Sequence, residues 1–119
     1  MRTNIKESNY FTLPGLKGNK IFKPFSTHEH RAILESVAEH YDLDVEELFN
    51  KRRHQGVVLA RHMSMFLMKK YTRMTLTAIA KIYKRDHTTI IHACRQIDNL
   101  LETDPTVRQD MHSIEMRFL

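Results

Sequence analysis

Scarcity says much about this chain of 119 residues. It has one cysteine, Cys94, which excludes an intrachain disulfide and a CxxC metal site. Three glycines and no GxxxxGKS/T run exclude a P-loop nucleotide site. No apolar run approaches the roughly 18 residues of a membrane span. Met1-Arg2-Thr3-Asn4 opens no apolar signal-peptide core. The expectation is one domain in the cytoplasm, with no membrane partner, no nucleotide and no cofactor.

Acids are scarce where bases are dense. From Lys51 to Arg95 there are eleven lysines and arginines and a single acid, Asp86. The flanks hold the other eight basic residues and thirteen acids. A solvated charged face normally mixes both signs, so a basic centre between acidic flanks points to a polyanion, and nucleic acid is the leading candidate.

Apolar spacing is helical almost throughout. Residues 1–25 are the exception. They carry Pro14, Gly15, Gly18 and Pro24 among Tyr10, Phe11, Leu13, Ile21 and Phe22, and read as an extended arm before a domain over 26–119. The arm is too apolar for a plain disordered linker. Ser26 and Glu29 have capping-box spacing, and Ile33, Leu34, Val37, Ala38 and Tyr41 then form one helical stripe. Asp44 and Glu47 repeat the capping spacing ahead of a short helix with Val45, Leu48 and Phe49. Residues 51–56 read as a basic loop. The segment from Val57 to Thr72 is apolar nearly all round, as in the middle helix of a bundle, with its methionines as core filler. Thr75 caps a short helix carrying Leu76, Ile79, Ala80, Ile82 and Tyr83. Another helix runs from about Asp86 to Leu101 with Ile90, Cys94, Ile97 and Leu101 inward, so Cys94 reads as a small core residue. Asp104-Pro105 opens a last helix with Val107, Met111, Ile114 and Phe118. Nothing alternates like a strand, so the fold class is all-α, a small helical bundle.

Residues 76–93 have the pattern of a helix-turn-helix. Ile79 and Tyr83 face Ile90 and Ala93, and small Ala80 sits where the helices cross. Burying Ile90, Cys94 and Ile97 leaves Thr88, His92, Arg95 and Asn99 outside, a stripe without a carboxylate. Short polar residues at the second helix's start suit entry into a major groove. Lys84 stands where such turns usually have glycine.

The run from Arg85 to Ile97, beginning Arg85-Asp86-His87-Thr88-Thr89 and containing His92-Ala93-Cys94-Arg95, resembles the signature of the C-terminal DNA-binding domain of the bacterial replication initiator DnaA. Val37-Ala38-Glu39-His40-Tyr41, Lys51-Arg52-Arg53, Arg61-His62-Met63-Ser64-Met65 and residues 76–80 resemble further parts of that domain. The resemblance covers about residues 26–118 and includes a Trp-repressor-like helix-turn-helix. Three features depart from the family pattern. The Gly-Gly pair before the signature is missing and the turn is one residue shorter. Ala60 and His62 replace a proline and a glutamine beside Arg61. Gln55 replaces an arginine.

The resemblance implies double-stranded DNA as partner, at sites like the DnaA box, in the regulation of replication initiation. It implies that Arg53 enters a minor groove and that Arg61 reads a base or phosphate, with His62 beside it in the base-reading set. Asp86, His87 and Thr88 then read bases in the major groove. Asp86 has capping as an alternative role. Phosphate contacts are expected from Lys51, Arg52, Lys69, Lys70, Thr72, Arg73, Lys84, Arg85, Thr89, His92 and Arg95. The initiator's ATPase and oligomerisation parts have no counterpart in the sequence, so a stand-alone reading module, nucleoid-associated, is expected.

Rival readings are a dimeric transcription regulator like the Trp repressor, and a protein-interaction module whose arm binds a replication protein or a second copy. Catalysis is not expected. His28-Glu29-His30 is not HExxH, His87 and His92 lie on different faces, and Asp86 is the only acid in the basic region available to a nuclease.

Overall fold

The computed structural model describes residues 29–50 and 54–119. The arm expected over 1–25, its boundary with the domain, the Ser26 cap and the loop residues Lys51, Arg52 and Arg53 lie outside the described residues. Those described form five α-helices and one 3₁₀ turn, with no strand among them: α1 (Glu29–His40), the 3₁₀ turn Val45–Leu48, α2 (Gln55–Tyr71), α3 (Leu76–Tyr83), α4 (His87–Thr103) and α5 (Pro105–Phe118). The all-α reading holds.

Local chemistry starts and stops these elements. Asp44 caps the 3₁₀ turn, and the Glu47 carboxylate reaches back to its amide at 3.1 Å. The Thr75 hydroxyl accepts the Ala78 amide at 3.0 Å and starts α3. Asp104 accepts the Thr106 amide at 2.9 Å, with Pro105 in the first helical position, where a missing N–H costs nothing. Few glycines are available to end helices, and two other residues take the left-handed conformation instead. Asp42 has φ 59° after α1 and Lys84 has φ 57° after α3. Each is followed by an amide that bonds back five residues, Leu43 to Ala38 at 2.8 Å and Arg85 to Ala80 at 2.9 Å. This closure satisfies carbonyls that a helix end leaves open.

The long middle helix is the spine. Every residue of α2 from Met63 to Lys69 is buried, because α4, α1, α3 and the 3₁₀ turn all pack on it. Full burial of a methionine, leucine or phenylalanine contributes about 1.5–3 kcal/mol each, so Met63, Met65, Phe66, Leu67 and Met68 anchor the core. The inward stripe of α1 is Ile33, Leu34, Val37 and Ala38, and that of α5 is Val107, Met111 and Ile114. Ile79, Ala80, Tyr83, Ile90, Ala93, Cys94 and Ile97 join the same core, which locks α3 and α4 together as a helix-turn-helix.

Polar ties fix α5 to the rest. Asp110 accepts from the Tyr41 hydroxyl at 3.1 Å and lies 3.0 Å from His40 Nε2. Glu115 accepts from Tyr71 at 2.6 Å and from Lys70 at 3.1 Å. The Tyr71 ring also meets Phe118 edge-on.

Candidate nucleic-acid interface

The start of α4 is an exposed polar helix end within the basic segment. Asp86, His87 and Thr88 are exposed, and Thr89 is half-buried. Asp86 is the N-cap by backbone, with φ −74° and ψ 153°, yet its carboxylate makes no cap hydrogen bond. The helix start is closed instead by the Thr89 amide bonding to the Asp86 carbonyl at 3.0 Å. The Asp86 side chain is therefore not committed to its own helix, and the capping alternative loses its hydrogen bond. Such a helix end presents open amides and a partial positive charge, a ready acceptor of phosphate.

The outward stripe of α4 falls where the spacing places it. Thr88, His92, Arg95 and Asn99 are exposed while Ile90, Cys94 and Ile97 are buried. Leu101 is only partly buried. The one acid in the middle of the helix, Asp98, is turned inward. Lys84 and Arg73 are exposed on the turns flanking α3, so the helix-turn-helix has a cationic rim.

Other expected contacts sit differently. Arg61 is only 4% exposed. Its Nε donates to the Leu48 carbonyl at 3.0 Å and its Nη2 to the Asn50 carbonyl at 2.7 Å. Charged donors of this kind contribute about 1.5–3 kcal/mol per bond, so turning the side chain outward is costly. Burial lowers its affinity for a proton, and the Arg85 charge adds to that. Arg85 also donates to the Asn50 carbonyl, at 3.3 Å. His62 is half-buried in a cleft of about 360 Å³ between α2, α4 and α5, beside Leu59, Leu100 and Val107. Burial first, then Arg61 and Arg85, hold its pKa below the usual histidine value, which favours the uncharged ring.

Among the phosphate candidates, Lys69 is buried and donates to the Met74 carbonyl at 3.2 Å. Thr72 is buried as the closing residue of α2, with its hydroxyl on the Met68 carbonyl at 2.6 Å. Lys70 is paired with Glu115. Of the residues expected between 69 and 73, Arg73 alone is exposed. Sequence spacing missed the Asn50 carbonyl, on which two arginines converge, because a backbone acceptor leaves no side-chain signature.

Cys94 is buried and its thiol is pushed up by burial to about 12, which makes it a core residue and not a nucleophile. Among the described residues no three histidines, cysteines or acids gather as metal ligands. None of the described helices is long and apolar enough to cross a membrane.

The sequence profile of the bacterial DnaA helix-turn-helix matches residues 30–97, from α1 into α4. The chain belongs to the bacterial DnaA helix-turn-helix family. A chromosomal replication initiator protein DnaA from Flavobacterium psychrophilum is 38% identical over 86 residues, which is 71% of this chain and 18% of that relative. The chain thus spans less than a fifth of the relative's length. Within the DnaA family match lie the exposed start of α4 and the turn at Lys84. The shorter turn has a structural solution here, since Lys84 itself takes the left-handed conformation that favours glycine.

Proposed function

We propose that this chain binds double-stranded DNA through its helix-turn-helix, at sites like the DnaA box, and acts in the regulation of replication initiation. The observation that carries the reading is the exposed Asp86-His87-Thr88 run at the start of α4, with the Asp86 carboxylate uncommitted to capping. In the major groove an aspartate accepts from cytosine N4 and a threonine methyl meets the thymine methyl. Thr89, Lys84, Arg73, His92 and Arg95 hold phosphates around that helix. Arg53, with Lys51 and Arg52, follows the adjacent minor groove, as the family resemblance implies. Arg61, Lys69, Lys70 and Thr72, whose side chains are buried or paired, support these contacts from within the bundle, together with the half-buried His62 and with Arg85, which is engaged on the Asn50 carbonyl.

Fluorescence anisotropy tests this with a labelled duplex bearing the DnaA box, a scrambled duplex, and two salt concentrations. Preference for the box is expected, with affinity falling steeply as salt rises, by a slope of about −0.9 per phosphate contacted. Equal, salt-sensitive binding to both duplexes would remove the box from the reading. No binding to either would favour a protein partner.

A further inference from the structure

We infer that Arg61 and Arg85 are positioning residues that set the recognition helix by gripping one shared acceptor, the Asn50 carbonyl. The inference rests on the reading of α4 as the DNA-reading helix. Arg61 projects from α2, the spine of the bundle, while Arg85 directly precedes Asp86, the N-cap of α4. Asn50 follows the 3₁₀ turn. Three elements therefore meet at a single oxygen, with Nη2 of Arg61 at 2.7 Å and Nη2 of Arg85 at 3.3 Å. Arg61 also holds the Leu48 carbonyl at 3.0 Å, two residues earlier.

Geometry separates this role from direct reading. A side chain 4% exposed, with its fork spent on two carbonyls, presents little to a base edge. A rigid guanidinium can span two acceptors in a way a lysine ammonium cannot. Two like charges on one oxygen repel, and the 3₁₀ turn and α2 hold them together. The shared acceptor couples the pair, because loss of either arginine leaves the other to fix the carbonyl alone. Lys84 makes the arrangement stiff. The turn between α3 and α4 closes back on Ala80 through the Arg85 amide, so a displaced Arg85 displaces the first turn of α4.

The test uses the whole chain with Arg61→Met, which keeps an apolar stem and removes the guanidinium, and Arg85→Met as a second variant should the first not fold. A positioning role predicts that discrimination between box and scrambled duplex falls about tenfold, spread over every base pair read by α4, with the salt slope on the scrambled duplex unchanged. It also predicts that Arg61→Met and Thr88→Ala are non-additive. Loss confined to one base pair, a slope reduced by about one with discrimination intact, or strict additivity would overturn it. A DNA-free measurement separates this proposal from the functional reading. Amide exchange at Thr89, whose N–H bonds to Asp86, should accelerate about tenfold in a folded Arg61→Met protein. Unchanged exchange there would overturn the proposal whether or not the chain binds DNA.

Discussion

The hydroxyl of Tyr83, the last residue of α3, meets the hydroxyl of Ser64 in the interior of α2. Both residues are buried, and each oxygen has a further partner. Ser64 donates to the Arg61 carbonyl at 2.7 Å, and Tyr83 lies 3.3 Å from the Met68 sulfur. The helix-turn-helix is therefore pinned to the spine by a polar contact one residue before its turn.

Tyr83→Phe is expected to destabilise the chain by about 1 kcal/mol, the usual net value of one hydrogen bond, because Ser64 keeps the Arg61 carbonyl. Tyr83→Ala should cost about 3–5 kcal/mol, since it also opens a cavity beside Phe49, whose ring packs on Tyr83. Urea unfolding followed by circular dichroism measures both. A loss of 3 kcal/mol or more for the phenylalanine variant would mean that the hydroxyl network is more tightly coupled than its pairwise contacts indicate.

Lys84→Gly should raise stability. A side chain in the left-handed region costs about 1–2 kcal/mol, part of which glycine gives back through its freer unfolded state. A net gain of about 0.5–1 kcal/mol is expected, and Lys84→Val should be destabilising. If Lys84 also holds a phosphate, the glycine variant will bind DNA with a salt slope smaller by about one. Thermal melts and anisotropy on the same two variants separate the conformational effect from the electrostatic one.

His87→Ala or Thr88→Ala should each cost about 1–3 kcal/mol of binding to the preferred duplex and relax sequence preference, while Arg73→Ala weakens binding to all duplexes alike. Competition against single-base variants reads the difference. Preserved sequence preference in His87→Ala would displace the reading surface from the start of α4.

Alkaline pH should destabilise the fold through buried acids that stay protonated. Burial pushes the Cys94 thiol from 9.0 to about 12, against an opposing effect of Lys69. The Tyr41 phenol is held above 10.0 by burial and by the Asp110 charge, and burial raises that of Tyr83 as well. Because the folded values are raised, each contribution is complete below the unfolded value and is lost as pH climbs from there toward the folded value. Stability should therefore decline from about pH 9 upward. Asp110→Asn should move the Tyr41 titration back toward 10.0. At pH 8, Cys94 should react with a thiol reagent only as fast as the chain opens; reaction at the unfolded rate under native conditions would contradict its burial.

Much of this architecture was legible because it is written locally. Thr75, Asp104-Pro105 and the 3.6-residue spacing of Ile90, Cys94 and Ile97 each depend on neighbours within a turn or two, and the structure places all of them as read. The exposure of Thr88, His92, Arg95 and Asn99 followed from the same periodicity. Arg61, Lys69 and Thr72 did not follow, because a cation or hydroxyl in a basic segment reads as surface until the carbonyls of Leu48, Asn50, Met74 and Met68 are seen to claim it. Those acceptors belong to the backbone and have no residue type. Nor does the identity of Lys84 announce φ 57°, since lysine has no preference for the left-handed region.

Asp104 ends α4 and begins α5. Its amide bonds to the Leu100 carbonyl at 2.8 Å while its carboxylate holds the Thr106 amide at 2.9 Å. No residue is left over between the two helices to absorb a rotation. The corner is a splice without slack, made at one aspartate. A residue inserted there can be absorbed only by unwinding one of the two helices, whose buried faces, Ile97 on one side and Val107 on the other, are set in the same core.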